Sequence, residues 1–293
     1  MARAASYGTL LDALRGVTWP ARRFARGTAA GSHRSRLRGI SPEFTEYRPY
    51  RQGDDPRRLD WKLFARTDRA YQRITSDRAT LATLLIVDAS ASMDYPSGML
   101  SKWEYACRLA VGLAAVAHAG GDPVGISVGT NAPLRSLEPR TRRGVVGDIA
   151  RLLEGVTPEG SRPLGPLLAA ARPEWRVALI SDFLGDAASL LRVARERVLA
   201  GAEVHAMHVV AEAELDPPGS AIMARDPETP RLERPLVDST RADYEETFAR
   251  WRSDLARDWL LAGATYAQLS TSEPAEHAVR RMTRPSAAGT GIR

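Results

Sequence analysis

Residues 81–87, LATLLIV, constrain the fold more than any other stretch of the chain. The run is short, rich in branched apolar side chains and free of charge, so neither of its faces suits water. It reads as a central strand of a parallel sheet, covered on both sides. A strand of that kind requires helices above and below it.

The following sequence supplies them. SKWEYACRLAVGLAAVAHAGG opens with Ser101 and Glu104 at capping-box spacing and aligns Trp103, Ala106, Leu109, Ala110, Leu113 and Val116 on one helical face. Gly120 and Gly121 end it. Strand and helix periodicities then alternate: a strand at 124–130, a helix at 142–153, a strand at 177–180, a helix at 187–199 and a strand at 203–210. A polar, proline-containing excursion over 215–235 interrupts the series before a long helix at 241–261, a strand at 265–270 and a short helix at 274–282. The expectation is an α/β, Rossmann-like, three-layer domain with a mostly parallel central sheet over residues 79–283.

The N-terminal part differs. Residues 1–30 are basic, with Tyr7, Leu10, Leu11 and Leu14 placed for a short amphipathic helix, either docked on the domain or lying on an anionic surface. They lack the continuous apolar stretch of a secretory signal. Residues 31–78 mix strand-like segments with one short helix, for which Asp55 is the expected N-cap and Pro56 the first residue. This segment reads as an extension packed on the sheet, and residues 284–293 as a disordered tail.

Residues 1–80 hold 17 Arg or Lys against 8 Asp or Glu, whereas the remainder holds 24 against 27. Lys62 and Lys102 are the only lysines. Acidic residues Glu43, Glu46, Asp54, Asp55, Asp60 and Asp68 interrupt the basic segment, which favours internal ion pairs over a nucleic-acid track, even with Tyr47, Tyr50, Trp61, Phe64 and Tyr71 interleaved. Cys107 is the single cysteine, so no intrachain disulfide forms and a reducing cytoplasm is the expected home. No apolar run approaches the ~20 residues of a spanning helix.

The chemistry concentrates where the strands end. In VDASASMD, Asp88, Ser90 and Ser92 alternate with Ala89 and Ala91. A carboxylate with two hydroxyls is an all-oxygen donor set suited to a hard divalent cation, Mg2+ or Mn2+. Asp182 reaches the same carboxyl edge from another strand, where open α/β sheets place their ligands. Ser161, in PEGSRPLG, stands in an intervening loop. Three loops are expected to meet at one point.

This pattern resembles the metal-ion-dependent adhesion site of von Willebrand factor A domains, with Asp88, Ser90 and Ser92 as the first element, Ser161 as the second and Asp182 as the third. EFTEYRPYRQGDDPRRLDW, followed by Ala65 to Thr67, narrows the likeness: over residues 31–283 the chain resembles the bacterial family called domain of unknown function 58. The resemblance implies a von Willebrand factor A-like domain, a coordination position completed by an acidic residue of a protein client, and a MoxR-type AAA+ ATPase as partner. Two departures stand out. The second element usually carries threonine where this chain has Ser161, and the third is commonly Thr-Asp-Gly where this chain has Ser181, Asp182 and Phe183.

Catalytic alternatives are weaker. A phosphotransferase of the haloacid dehalogenase type carries D-x-D, and here the second position is Ser90, which removes the usual general acid. No Walker A loop, G-x-S-x-G elbow or H-E-x-x-H occurs. His205 and His208 differ by three positions on one strand and so face opposite sides. His33, His118 and His277 stand alone. The sequence therefore reads as a metal-dependent binding adaptor and not an enzyme.

Overall fold

The computed structural model describes residues 7–21, 30–34, 44–50, 59–75, 78–95, 100–130, 135–217, 222–225, 233–236 and 238–284. The cap expected at Asp55 and the tail 285–293 lie outside them. In chain order the elements are α1 (Gly8–Ala13), β1 (Ala30–Arg34), β2 (Phe44–Pro49), α2 (Trp61–Thr67), β3 (Tyr71–Thr75), β4 (Arg78–Ala79), β5 (Thr83–Asp88), α3 (Lys102–Ala119), β6 (Val124–Gly129), β7 (Arg135–Arg140) and α4 (Val145–Glu154). There follow α5 (Gly165–Ala169), β8 (Arg176–Ser181), α6 (Ala187–Ala200), β9 (Glu203–Val210), α7 (Glu212–Leu215), β10 (Ile222–Arg225), β11 (Glu233–Leu236), α8 (Asp238–Leu261), β12 (Thr265–Ser270) and α9 (Ala275–Thr283).

Contacts divide the chain into two compact units, Pro20–Leu81 and the remainder. In the smaller unit β1 pairs with β4 and β2 with β3, both antiparallel. Its helix α2 is capped by Asp60, whose carboxylate accepts from the backbone N–H groups of Lys62 and Leu63 at 3.1 and 3.0 Å.

The larger unit is built on a six-stranded sheet in the order β12-β9-β8-β5-β6-β7. All neighbours are parallel except β6 and β7. Strands β5, β8 and β9 are buried along their whole length, as their charge-poor sequences require. The edge strand β7, RSLEPR, is largely exposed, and its charges and Pro139 discourage pairing with another chain. It was not expected from the sequence, since it has no apolar run. Gly125 lets it close on β6: a Cβ there would lie 2.4 Å from the Leu137 carbonyl oxygen.

Each face of the sheet has its own core. On one, Leu85, Val87, Ile126 and Val128 meet Leu109 and Leu113 of α3, Ile149 of α4 and Val279 of α9, together with Leu10 and Leu14 from the N-terminal helix. Gly112 permits that crowding, because a Cβ would stand 3.0 Å from both Leu14 and Val279. On the other face Leu84, Ile86 and Leu179 meet Leu168 of α5, Ala194 of α6 and Trp259 of α8. Burying each such leucine contributes roughly 1.5–3 kcal/mol.

At the strand-start end of the sheet, Arg176 is fully buried. Its Nη2 donates to the Trp19 carbonyl at 3.0 Å, and its guanidinium lies 4.3 Å from the Trp19 ring centre. Asp122 at 3.4 Å and Glu203 at 3.6 Å balance the charge. The cluster ties residues 7–19 to the sheet. His205 edges Trp19 on this face, while His208 packs against Phe183, Trp251 and Tyr266 on the opposite one. No helix among the described residues is long and apolar enough to cross a membrane.

Candidate metal centre

Numbering the sheet strands by appearance gives the doubly wound order 3-2-1-4-5-6 with the third strand reversed, so the winding changes direction between β5 and β8. Ligands of open α/β sheets bind outside the carboxyl ends at that switch point. Here Asp88 ends β5, and Ser181 and Asp182 lie at the end of β8.

The loop after β5 is folded tightly by its own side chains. Asp88 Oδ1 accepts from the Ser90 N–H at 2.9 Å, and the small Ala89 and Ala91 let the backbone run close to its neighbours. The Ala91 N–H donates to the Gly160 carbonyl at 2.8 Å, and the Glu159 N–H donates to the Ala89 carbonyl at 2.9 Å. These bonds bring the Ser161 loop beside the Asp88 loop. Ser161 itself is exposed, following Gly160 at φ +61°. Ser92 opens with Ala91 a short 3-10 turn, Ala91–Asp94, and its Oγ lies 3.0 Å from Ser90 Oγ.

From β8, Ser181 Oγ donates to Asp88 Oδ2 at 2.5 Å and accepts from the Phe183 N–H at 2.9 Å. Phe183 has φ +54°, the left-handed conformation in which the resembled motif has glycine. The turn thus keeps its path without glycine, at a cost of about 1 kcal/mol. Burial of the ring against Trp259 and His208 offsets it. Asp182 Oδ1 accepts from Leu184 N–H at 3.3 Å, which leaves Oδ2 for another partner.

That partner is Lys102, which sequence reading did not single out. Its Nζ, on a residue only 1% exposed, donates to Asp182 Oδ2 at 2.7 Å and to Glu214 Oε1 at 2.8 Å. Burial opposes its charge, but the two carboxylates outweigh burial and raise its pKa above the ordinary lysine value. A signal was present in the sequence. Lys102 is the first residue of α3, where the helix dipole weakly disfavours a cation, a hint that a carboxylate stands nearby. Glu214 is held in turn by donation from the Ala211 N–H to its Oε2 at 2.7 Å.

Asp88, Ser90, Ser92 and Asp182 are all buried, and the four sit at one sheet end. Burial first, then the nearby Asp182 charge, push the Asp88 carboxyl up to about 6; hydrogen bonds from Ser181 and Ser90 act in the other direction. A cavity of about 40 Å³ adjoins Asp88 and Ser181 under Pro163, Leu164 and Phe183, enough for ordered water. Among the described residues no three His, Cys, Asp or Glu side chains gather to hold a metal. A cation here therefore depends on hydroxyl ligands.

The residues fit a hard cation on two counts. Adjacent ligands of an octahedral Mg2+ at 2.0–2.1 Å lie about 2.9–3.0 Å apart, and Ser90 Oγ and Ser92 Oγ are 3.0 Å apart. Burial first and then the Asp182 charge raise the Asp88 pKa, and a cation held near both carboxylates would relieve that repulsion.

Comparison with known proteins places the chain among relatives. It is 29% identical over 271 residues to "Uncharacterized protein Rv1480" of Mycobacterium tuberculosis (strain ATCC 25618 / H37Rv), covering 89% of this chain and 85% of the relative. The same figures hold for "Uncharacterized protein Mb1516" of Mycobacterium bovis. Among solved structures it is similar to the conserved hypothetical protein BatB from Bacteroides thetaiotaomicron, at 17% identity and TM-score 0.45 over 69% of this chain and 96% of that one. It is also similar to the SpRpn10 VWA domain, at 12% identity and TM-score 0.42 over 73% and 99%. The family model "Protein of unknown function DUF58" matches residues 46–254, well over half the sequence, and the chain belongs to that family.

Proposed function

We propose that this protein is a divalent-cation-dependent protein-binding adaptor. The observation that carries the reading is the pairing of the Ser90 and Ser92 hydroxyls at 3.0 Å beside Asp88, at the switch point of the sheet. Ser90 and Ser92 hold Mg2+ or Mn2+ directly, and Asp88 and Asp182 supply negative charge directly or through water. Ser161, exposed at the rim, joins when a partner is bound. A bound ion supplies a Lewis-acidic position for a partner's aspartate or glutamate. The protein's own residues orient the ion, keep Asp88 buried and present the exposed Leu184 beside the site.

The client is a protein with an exposed acidic residue, and the working partner is a MoxR-type AAA+ ATPase in the cytoplasm. The ATPase rests on the family resemblance, and the compartment on a single buried cysteine. The reading assigns binding and no catalytic step. A pull-down from native cells with and without chelator tests it, using the wild type and Ser90→Ala. Partners lost with chelator and with Ser90→Ala support the adaptor. A partner set unchanged by both removes the metal from binding.

A further inference from the structure

Lys102 is buried, its ammonium over the Tyr95 ring at 5.7 Å from the ring centre, and is shared between Asp182 of the cation site and Glu214 of α7. In a chain whose cationic side chains are otherwise arginine but for Lys62, the choice of lysine is informative. Arginine's planar fork would fix two carboxylates rigidly, whereas an ammonium on a flexible stem is a point charge that can shift its weight between them. Asp182 Oδ1 is engaged by the Leu184 N–H and Oδ2 by Lys102, so an incoming cation meets an Asp182 already partly neutralised.

We propose that Lys102 is a positioning residue that sets the cation affinity of the site: it holds Asp182 while no ion is bound and passes toward Glu214 as an ion takes up the Asp182 charge. This rests on the reading of Asp88, Ser90, Ser92 and Asp182 as a divalent-cation site. Glu214 is then the acceptor of the displaced ammonium. Its backbone carbonyl accepts from the Tyr244 hydroxyl at 3.2 Å, so the state of the site bears on the contact between α7 and α8.

The test is titration of Mn2+ into the chelator-stripped full chain, with free Mn2+ followed by electron paramagnetic resonance. Wild type, Lys102→Met, Glu214→Gln and Asp88→Ala are compared, each checked for a cooperative melt. Lys102→Met is expected to bind Mn2+ roughly tenfold or more tightly, since a nearby positive charge is removed. A merely structural lysine would give the reverse, because a damaged site binds more weakly. Glu214→Gln is expected to bind more weakly than wild type, the whole ammonium then resting on Asp182. Lys102→Met binding no tighter than wild type overturns the role of Lys102 while leaving the site intact. If Lys102→Met does not fold, an unchanged affinity in Glu214→Gln overturns it instead. Wild type and Lys102→Met both failing to take up Mn2+ overturns the cation site itself, and Asp88→Ala binding like wild type places the ion elsewhere.

Discussion

Asp88→Asn should stabilise the metal-free protein at neutral pH. Folding lifts the Asp88 carboxyl from its ordinary 3.8 to about 6, chiefly through burial and then through Asp182. Holding it ionised in the fold therefore costs about 3 kcal/mol at most. The folded state keeps this proton more tightly than the unfolded chain does. Wild-type stability from this group is thus highest below about pH 4, falls as pH rises toward about 6, and is level above that. Asparagine carries no charge and escapes the loss, although its amide satisfies Ser181 and the Ser90 N–H less well, a penalty that does not vary with pH. The assay is urea unfolding of both proteins in EDTA at pH 4, 5, 6 and 7. The stability difference, Asn minus Asp, should climb by about 2–3 kcal/mol across the series. A difference that stays flat or shrinks would refute the claim that burial of the Asp88 carboxylate outweighs its hydrogen bonds. Added Mg2+ should then stabilise only the wild type, by mass action.

Other expectations follow from the same geometry. Phe183→Gly relieves the left-handed backbone but forfeits a buried ring, so it should destabilise by about 2–4 kcal/mol in urea melts while cation binding persists. Burial holds His208 near 3, so the fold keeps it neutral while the unfolded chain protonates below about 6.5. Stability should fall with acidification by up to about 1.4 kcal/mol per pH unit, and His208→Phe should flatten that limb. Arg176→Met leaves Asp122 and Glu203 without their buried cation and frees Trp19, for a loss of about 3–5 kcal/mol, checked by thermal melts and by protease sensitivity of residues 7–19.

Much of the fold was legible because periodicity reports burial. Strands β9 and β12 match the bounds read from EVHAMHVV and TYAQLS, since each is a run flanked by polar turns. Strand β7 was not legible: an exposed edge strand is selected for charge, and RSLEPR has no apolar pattern to read. Helix α4 begins three residues later than its periodicity suggested, because Gly144 at φ +87° stands as its N-cap. Within the site, spacing revealed Asp88, Ser90 and Ser92, which bond to one another locally. Ser181 and Asp182 were legible as the polar end of an apolar strand, whereas Lys102 escaped because its bond to Asp182 spans 80 positions. A tertiary pairing of that kind leaves no periodic trace, and only the misplaced charge at the start of α3 hinted at it.

The most direct measurement is anomalous scattering from a crystal grown with Mn2+. One peak should lie within about 2.2 Å of both Ser90 Oγ and Ser92 Oγ, with their mutual hydrogen bond replaced by two bonds to the ion. A map in which those hydroxyls remain bonded to each other and Mn2+ is absent, or sits on other residues, contradicts the account.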